Sequence, residues 1–440
     1  MITGLMKGKN LLEELKKSGG LSGPVLHALL FRVAGLGLIF LLQVLMARLM
    51  GPAQYGDYTV IITVVNLFIV LSLFGFDSSV LRFLPAYISN NETDKANGFV
   101  KFSYRFITFL SLVSSIVLFI FLLSKSKKFN MSFNEGFFWG LLLIPFLAFI
   151  YQSSALLRAL GKIKTSLISA YFLIPFFMGI FCLFYYYKQH VLTVDAAMLN
   201  YLCCAILICL FINRRAGKAL KEKVLSEENT FIPRQWISVS TILFLSTALD
   251  LLLRQSDILM VSYFLGNTRA GQYGVAAKLA VLASLGLSVV DYVFMPKISA
   301  LYESRQFVKL QQMVRNSSLQ ILSITLPVAL ILFTGGKWIL GLFGNTFTHS
   351  YLPLVILLCG QIINASTGMV GGLMSMTGHQ KIFFSFYIIA FAFQFLLNIY
   401  LIPKYGITGA SIGSSVSMVL LNILGYRFVN KKLKIKASFF

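Results

Sequence analysis

Apolar residues in this chain gather in long runs, with polar residues confined to the gaps between them. Twelve runs approach or exceed the roughly 17–25 residues that a helix needs to cross a bilayer. They fall at 24–48, 55–78, 99–123, 136–157, 166–187, 191–212, 238–264, 272–296, 313–335, 351–376, 382–402 and 406–428. Gly51-Pro52, Gly266-Asn267 and Pro403 punctuate them, and Trp139, Trp236, Trp338 and Tyr185-Tyr186-Tyr187 stand near boundaries, where aromatic anchors belong. The longest polar stretch, Arg214 to Gln235, separates the sixth run from the seventh. The pattern predicts an all-α integral membrane protein of about twelve transmembrane helices in two six-helix lobes around a central cavity. Its expected divisions are a cytoplasmic basic segment (1–23), a first lobe (24–213), a cytoplasmic linker (214–235), a second lobe (236–430) and a basic cytoplasmic tail (431–440).

Composition agrees with a lipid solvent. Of the 440 residues 57% are hydrophobic and 12% charged, against about 25% charged in a soluble domain. So few ions cannot coat a water-soluble particle of this size.

The net charge of +23 raises the question of nucleic acid, but the distribution answers it. Of the 38 Lys and Arg, 27 fall on the side of the two termini and 8 on the other. That is the positive-inside pattern, which places both termini in the cytoplasm. Cationic loops on anionic headgroups account for the excess without a nucleic-acid partner. Near the start, Lys7 to Lys17 is basic and mildly amphipathic, and Leu11, Leu12 and Leu15 would lay one short helix on that surface. No small-residue cleavage site follows a short apolar core, so a removable signal peptide is not expected.

Five cysteines lie inside apolar runs without metal-ligand spacing, and four histidines are scattered near span ends. No P-loop or H-E-x-x-H string is present. The expectation is a non-enzyme without metal or cofactor.

Candidate chemistry lies in the ionisable residues within spans, each costing about 2.5–3.5 kcal/mol or more at the bilayer centre. Arg32 sits in span one, and Gln43 follows three helical turns later on the same face. They form either a polar stripe along the cavity, with Arg32 meeting a phosphate, or an arginine that snorkels or ties helices together. Asp250, Arg254 and Asp257 share one face of span seven at i, i+4 and i+7. Two readings stay open: an internally neutralised cluster, or a carboxylate that couples proton uptake to release of Arg254. Lys278 in span eight is a third candidate cation for the cavity. Arg32, Arg254 and Lys278 together would give the cavity wall a net positive potential.

The halves echo each other. Leu49-Met50-Gly51-Pro52-Ala53-Gln54-Tyr55-Gly56 stands at the first hairpin, and Phe264-Leu265-Gly266 with Gly271-Gln272-Tyr273-Gly274 at the seventh, matching once gaps are allowed. Leu84-Pro85 and Met295-Pro296 end the following spans. Six spans per half make the repeat parallel.

The string Ala47-Arg48-Leu49-Met50-Gly51-Pro52-Ala53-Gln54-Tyr55-Gly56 before an apolar span resembles the opening of the polysaccharide transport family, the Wzx-type flippases. These belong to the multidrug/oligosaccharidyl-lipid/polysaccharide exporter superfamily. Asp257 to Gly266 with Gly271-Gln272-Tyr273-Gly274 is similar to the family's seventh-helix signature. The resemblance implies transfer of an undecaprenyl-diphosphate-linked oligosaccharide from the inner to the outer leaflet of a bacterial or archaeal cytoplasmic membrane, for capsule, exopolysaccharide or O-antigen. It also implies loose partners in polysaccharide polymerase and chain-length machinery. A lipid II-type flippase and a cation-coupled multidrug exporter of the same superfamily are the alternatives.

Overall fold

A computed structural model of the chain describes residues 23–125, 135–224, 228–287, 290, 294–295, 298, 301–302, 304–433 and 435. The expected surface helix around Leu11 to Leu15 lies outside them, and Arg32 belongs to a described helix although its side chain is not described.

Long helices account for almost all of the described residues, because a backbone in hydrocarbon must satisfy its own hydrogen bonds. The first, α1 (Gly23–Leu73), breaks at Gly51 (φ 74, ψ 172) into two arms, with Pro52 opening the second. There follow α2 (Phe76–Ser89), α3 (Thr93–Lys125) and α4 (Glu135–Ala159). Next, α5 (Ile163–Ile168) runs through a π-helical turn at Ser169–Leu173 into α6 (Ile174–Gln189), whose early Pro175 suits such a junction. The half ends with α7 (Val194–Lys223), capped by Thr193, which accepts from the Ala196 N–H at 3.3 Å. The second half contains α8 (Pro233–Leu265), α9 (Asn267–Ala283), α10 (Phe307–Phe343), α11 (Tyr351–Ser366), α12 (Val370–Met376), α13 (Gln380–Tyr405) and α14 (Ile407–Phe428).

Among the described residues nine segments are long and apolar enough to cross a membrane. That is fewer than the twelve expected; Ala34–Ser89 carries both arms of the first hairpin as one segment, 163–189 contains the π turn, and α9 ends before Ser284.

Within the first half α4 is central, packed on α1, α2, α3 and α7; within the second, α14 packs on α11 and α13, and α9 on α8 and α11. One hydrophobic core runs through the first half and across into α9, α10 and α11; a second surrounds Leu310, Val314, Met369 and Val429 in the other half.

The halves meet along a seam where their hairpins face each other. Gly266 between α8 and α9 (φ 86, ψ 166) repeats the backbone of Gly51. Counting from these two glycines gives a register without gaps: Gly56 matches Gly271, and Tyr58 matches Tyr273. The gapped alignment of Gln-Tyr-Gly strings is therefore corrected, with Tyr58 and not Tyr55 as the counterpart of Tyr273. The matched glycines touch: a Cβ on Gly271 would stand 2.7 Å from Gly56 Cα, and one on Gly56 would stand 2.3 Å from the Asn267 carbonyl oxygen. Asn267 Nδ2 donates to Asp57 Oδ1 at 2.6 Å, and Arg48 donates to the carbonyls of Leu342 (2.6 Å) and Gly341 (3.2 Å).

Helix α8 belongs to both halves. Its start is buried against the first: Trp236 Nε1 donates to Tyr87 Oη at 2.9 Å, Ser240 Oγ to Ser79 Oγ at 2.9 Å, and Phe244 stacks on Phe74. Its far end packs on α9 and α13. Between these anchorages, none of residues 241–255 is buried.

Candidate functional site

Two polar constellations form on the helices around α8. The first lies on the seam itself. Lys278 Nζ donates to Gln43 Oε1 of the opposite half at 2.8 Å, and the same oxygen accepts from Tyr55 Oη at 2.6 Å. The Tyr55 ring lies under the ammonium, 5.7 Å from ring centroid to nitrogen. Lys278 stays exposed at this place. At 1.5 Å per residue it is roughly 18 Å along α9 from Gly266, about halfway through a bilayer core of about 30 Å. Among the described residues no carboxylate comes within ion-pair distance of it. An ammonium at that depth held only by neutral groups, the Gln43 amide oxygen and, at 3.5 Å, the Tyr55 hydroxyl, has capacity left for an anion.

The second constellation lines a cavity of about 540 Å³ inside the second half. Arg254 Nε donates to both carboxylate oxygens of Asp250 at 3.0 Å, and Tyr387 Oη reaches Asp250 Oδ1 at 3.4 Å. Asp257 is 3% exposed and makes no such pair with Arg254. It accepts instead from Tyr273 Oη of α9 (2.5 Å), Gln394 Nε2 of α13 (2.8 Å) and Ser414 Oγ of α14. Four helices thus converge on one carboxylate. The face shared by Asp250, Arg254 and Asp257 separates into an ion pair open to the cavity and a buried acceptor tied to neighbouring helices.

The structure therefore unites Gln43 with Lys278, and Asp250 with Arg254. It does not bring Lys278 and Arg254 into contact, and Arg32 offers no described side chain to place. Tyr55, Tyr273, Gln394 and Ser414 were not anticipated. The available signal was uncharged polar residues inside apolar runs, of which Gln394 in α13 is the clearest. Among the described residues no cluster of three or more His, Cys, Asp or Glu is arranged to hold a metal ion.

With this geometry in view, comparison with known proteins identifies relatives. The family described as polysaccharide biosynthesis protein matches residues 25–302. The chain belongs to that family. As a polysaccharide biosynthesis family protein it is similar to an uncharacterized membrane protein of Methanocaldococcus jannaschii, 23% identical over 95% of this chain and 85% of the relative. It is also similar to a probable low-salt glycan biosynthesis flippase of Haloferax volcanii, 20% identical over 42% of this chain and 39% of the other. A capsular polysaccharide biosynthesis protein of Staphylococcus aureus is 25% identical over 38% and 42%.

Among solved structures, a MOP superfamily transporter from Pyrococcus furiosus superposes with a TM-score of 0.69 at 15% identity, covering 92% of this chain and 94% of that one. An inward-facing multidrug resistance MATE family transporter of the same superfamily gives 0.68 at 13%, covering 92% and 98%. At those identities the likeness is one of fold. The family protein is thus a multi-pass membrane protein with a MATE-like transporter fold.

Proposed function

We propose that this protein flips an undecaprenyl-diphosphate-linked oligosaccharide from the cytoplasmic to the outer leaflet, for surface polysaccharide assembly. The observation that carries the reading is Lys278: a cation near mid-membrane, on the seam between the halves, without a carboxylate partner among the described residues. A diphosphate cannot cross dry hydrocarbon, whereas a polyprenyl tail never has to leave it. Lys278 takes the diphosphate at the seam, with Arg32 engaging it earlier along span one. Arg254 contributes its charge only when Asp250 is displaced or protonated, because the two neutralise each other at rest.

The two lobes, 24–213 and 236–430, alternate access by rocking about the seam. Both termini and the linker at 214–235 face the cytoplasm. Asp250 and Asp257 are the candidates for ion coupling, and Asp257 is placed to report it, since its four-helix contacts would rearrange on proton uptake. Polymerase and chain-length proteins would receive the product.

The test is reconstitution of the purified protein into liposomes with lipid-linked oligosaccharide on one leaflet, followed by the appearance of sugar accessible to an impermeant oxidant on the other. Transport by the wild type and at least a tenfold loss in Lys278→Gln support the reading. Equal flipping in protein-free liposomes, or an unaffected Lys278→Gln, refutes it.

A further inference from the structure

The cavity in the second half changes character along its wall. Beside Asp250 and Arg254, whose charges cancel, the lining turns to uncharged hydrogen-bonding groups from α11 and α14. Gln361 is 8% exposed, lines the cavity, and leaves its Oε1 without a hydrogen-bond partner. A buried acceptor left in that condition awaits a donor from whatever fills the space. Asn422 Nδ2 donates to Asn364 Oδ1 at 2.9 Å, and Thr367 Oγ1 to Asn422 Oδ1 at 3.1 Å. This chain fixes the Asn364 amide and leaves its NH2 group for the cavity. Opposite stand aromatic rings: Phe383 meets Tyr387 edge-on at 5.0 Å, and rests where a Cβ on Gly371 would come within 2.9 Å of it.

We propose that this cavity is a sugar-binding pocket for the saccharide attached to the diphosphate. The proposal rests on the flippase reading and extends it. Sugar hydroxyls donate and accept at once, and side-chain amides match them with both kinds of group. Asp250 accepts from hydroxyls while Arg254 holds it in place. The C–H face of a pyranose packs on an aromatic wall. Among the described residues lining the cavity the one cation, Arg254, is already paired, so an anion finds little there and the diphosphate belongs outside. The positions agree: Ala277 lines the pocket and its neighbour Lys278 faces the seam. Phosphate and first sugar, joined by one bond, would straddle the edge of α9. A volume of about 540 Å³ lies within the roughly 300–1,000 Å³ of small-molecule sites, enough for a short saccharide but not a long chain.

Binding to the full-length protein in nanodiscs tests this with two probes: lipid-linked oligosaccharide extracted from cells that make the protein, and polyprenyl diphosphate without sugar. The sugar-bearing lipid should bind at least tenfold tighter. Gln361→Ala with Asn364→Ala should remove that advantage while leaving the bare diphosphate lipid unchanged. Ser375→Trp, which fills the pocket from α12 without deleting its amide network, should do the same, so that misfolding of the double variant cannot decide the outcome. Equal binding of both lipids, or an advantage that survives in both variants, overturns the sugar pocket and leaves the flippase reading standing. Failure of both lipids to bind, with tight binding of the lipophilic cation tetraphenylphosphonium, overturns both.

Discussion

Gly56 offers a direct test of how the seam works. A methyl group added there would stand 2.3 Å from the Asn267 carbonyl oxygen, 2.6 Å from its carbon and 2.8 Å from Thr268 N. All three are backbone atoms at the start of α9, so no side chain can turn away to make room. The seam must separate by several tenths of an ångström or more, and overpacking of this kind costs about 1–3 kcal/mol. If the seam opens during transport, the penalty falls only on the state in which it is closed. Gly56→Ala should then shift the closed-to-open ratio by about 5- to 150-fold, since 1.4 kcal/mol is a factor of ten. Spin labels at Val191 and Trp338, both exposed, with the native cysteines replaced, would read the distribution of separations across the membrane face by pulsed dipolar spectroscopy. The expected outcome is growth of a longer-distance population. Gly217→Ala, where nothing lies within 4 Å, is the control. An unchanged distribution together with an unchanged melting temperature would mean that the two hairpins do not bear on each other, and the seam would lose its role as a gate.

Other perturbations separate the remaining parts. Arg48→Ala removes two hydrogen bonds to the end of α10 and should lengthen the same distances more weakly than Gly56→Ala, as read with the same labels. Lys278→Gln should lower binding of polyprenyl diphosphate by about 10- to 150-fold, in line with about 1.5–3 kcal/mol for a charged hydrogen bond, when titrated in nanodiscs. Asp257→Asn sets an amide against three donors and should destabilise the fold by about 1–3 kcal/mol, seen as a lower melting temperature. If Asp257 couples protons, the same variant flattens the dependence of flipping on pH; a profile as steep as the wild type's removes Asp257 from coupling.

The long apolar runs made the fold class legible, because hydrocarbon permits few alternatives to a buried helix. The Asp250–Arg254 pair was equally accessible, being an i, i+4 contact within one helix. Asp257 looked like a third member of that set, and helix geometry alone could not show otherwise. Its partners Tyr273, Gln394 and Ser414 come from three other helices, and no local spacing connects them. Gln361, Asn364 and Asn422 escaped notice for a different reason. Uncharged amides barely lower the hydropathy of an apolar run, so they pass through a reading that searches for ions. The repeat was visible but misregistered, since the Gln-Tyr-Gly string recurs by identity whereas the fold repeats by backbone geometry at Gly51 and Gly266.

The corrected register bears on whether the polar groups serve the scaffold or the substrate. Counted from the two hinge glycines, Asp250, Arg254, Asp257 and Lys278 correspond to Gly35, Ile39, Leu42 and Thr63 in the first half. The equivalent helices of that half are therefore built without a single ionised group at these places. Their seam glycine, Gly56, is retained as Gly271, and their buried Tyr58 as Tyr273, which in the second half also donates to Asp257. A scaffold requirement would fall on both copies, as it does for the glycines. These four charges have no counterpart at the matching positions of the first half, whose own cation in span one, Arg32, falls opposite Thr247, and each costs about 2.5–3.5 kcal/mol or more near the bilayer centre unless it is paired. Asp257 spends its charge on donors from three neighbouring helices and Asp250 and Arg254 spend theirs on each other, whereas Lys278 stands on the seam against Gln43 of the first half, which is why the flippase proposal rests on Lys278.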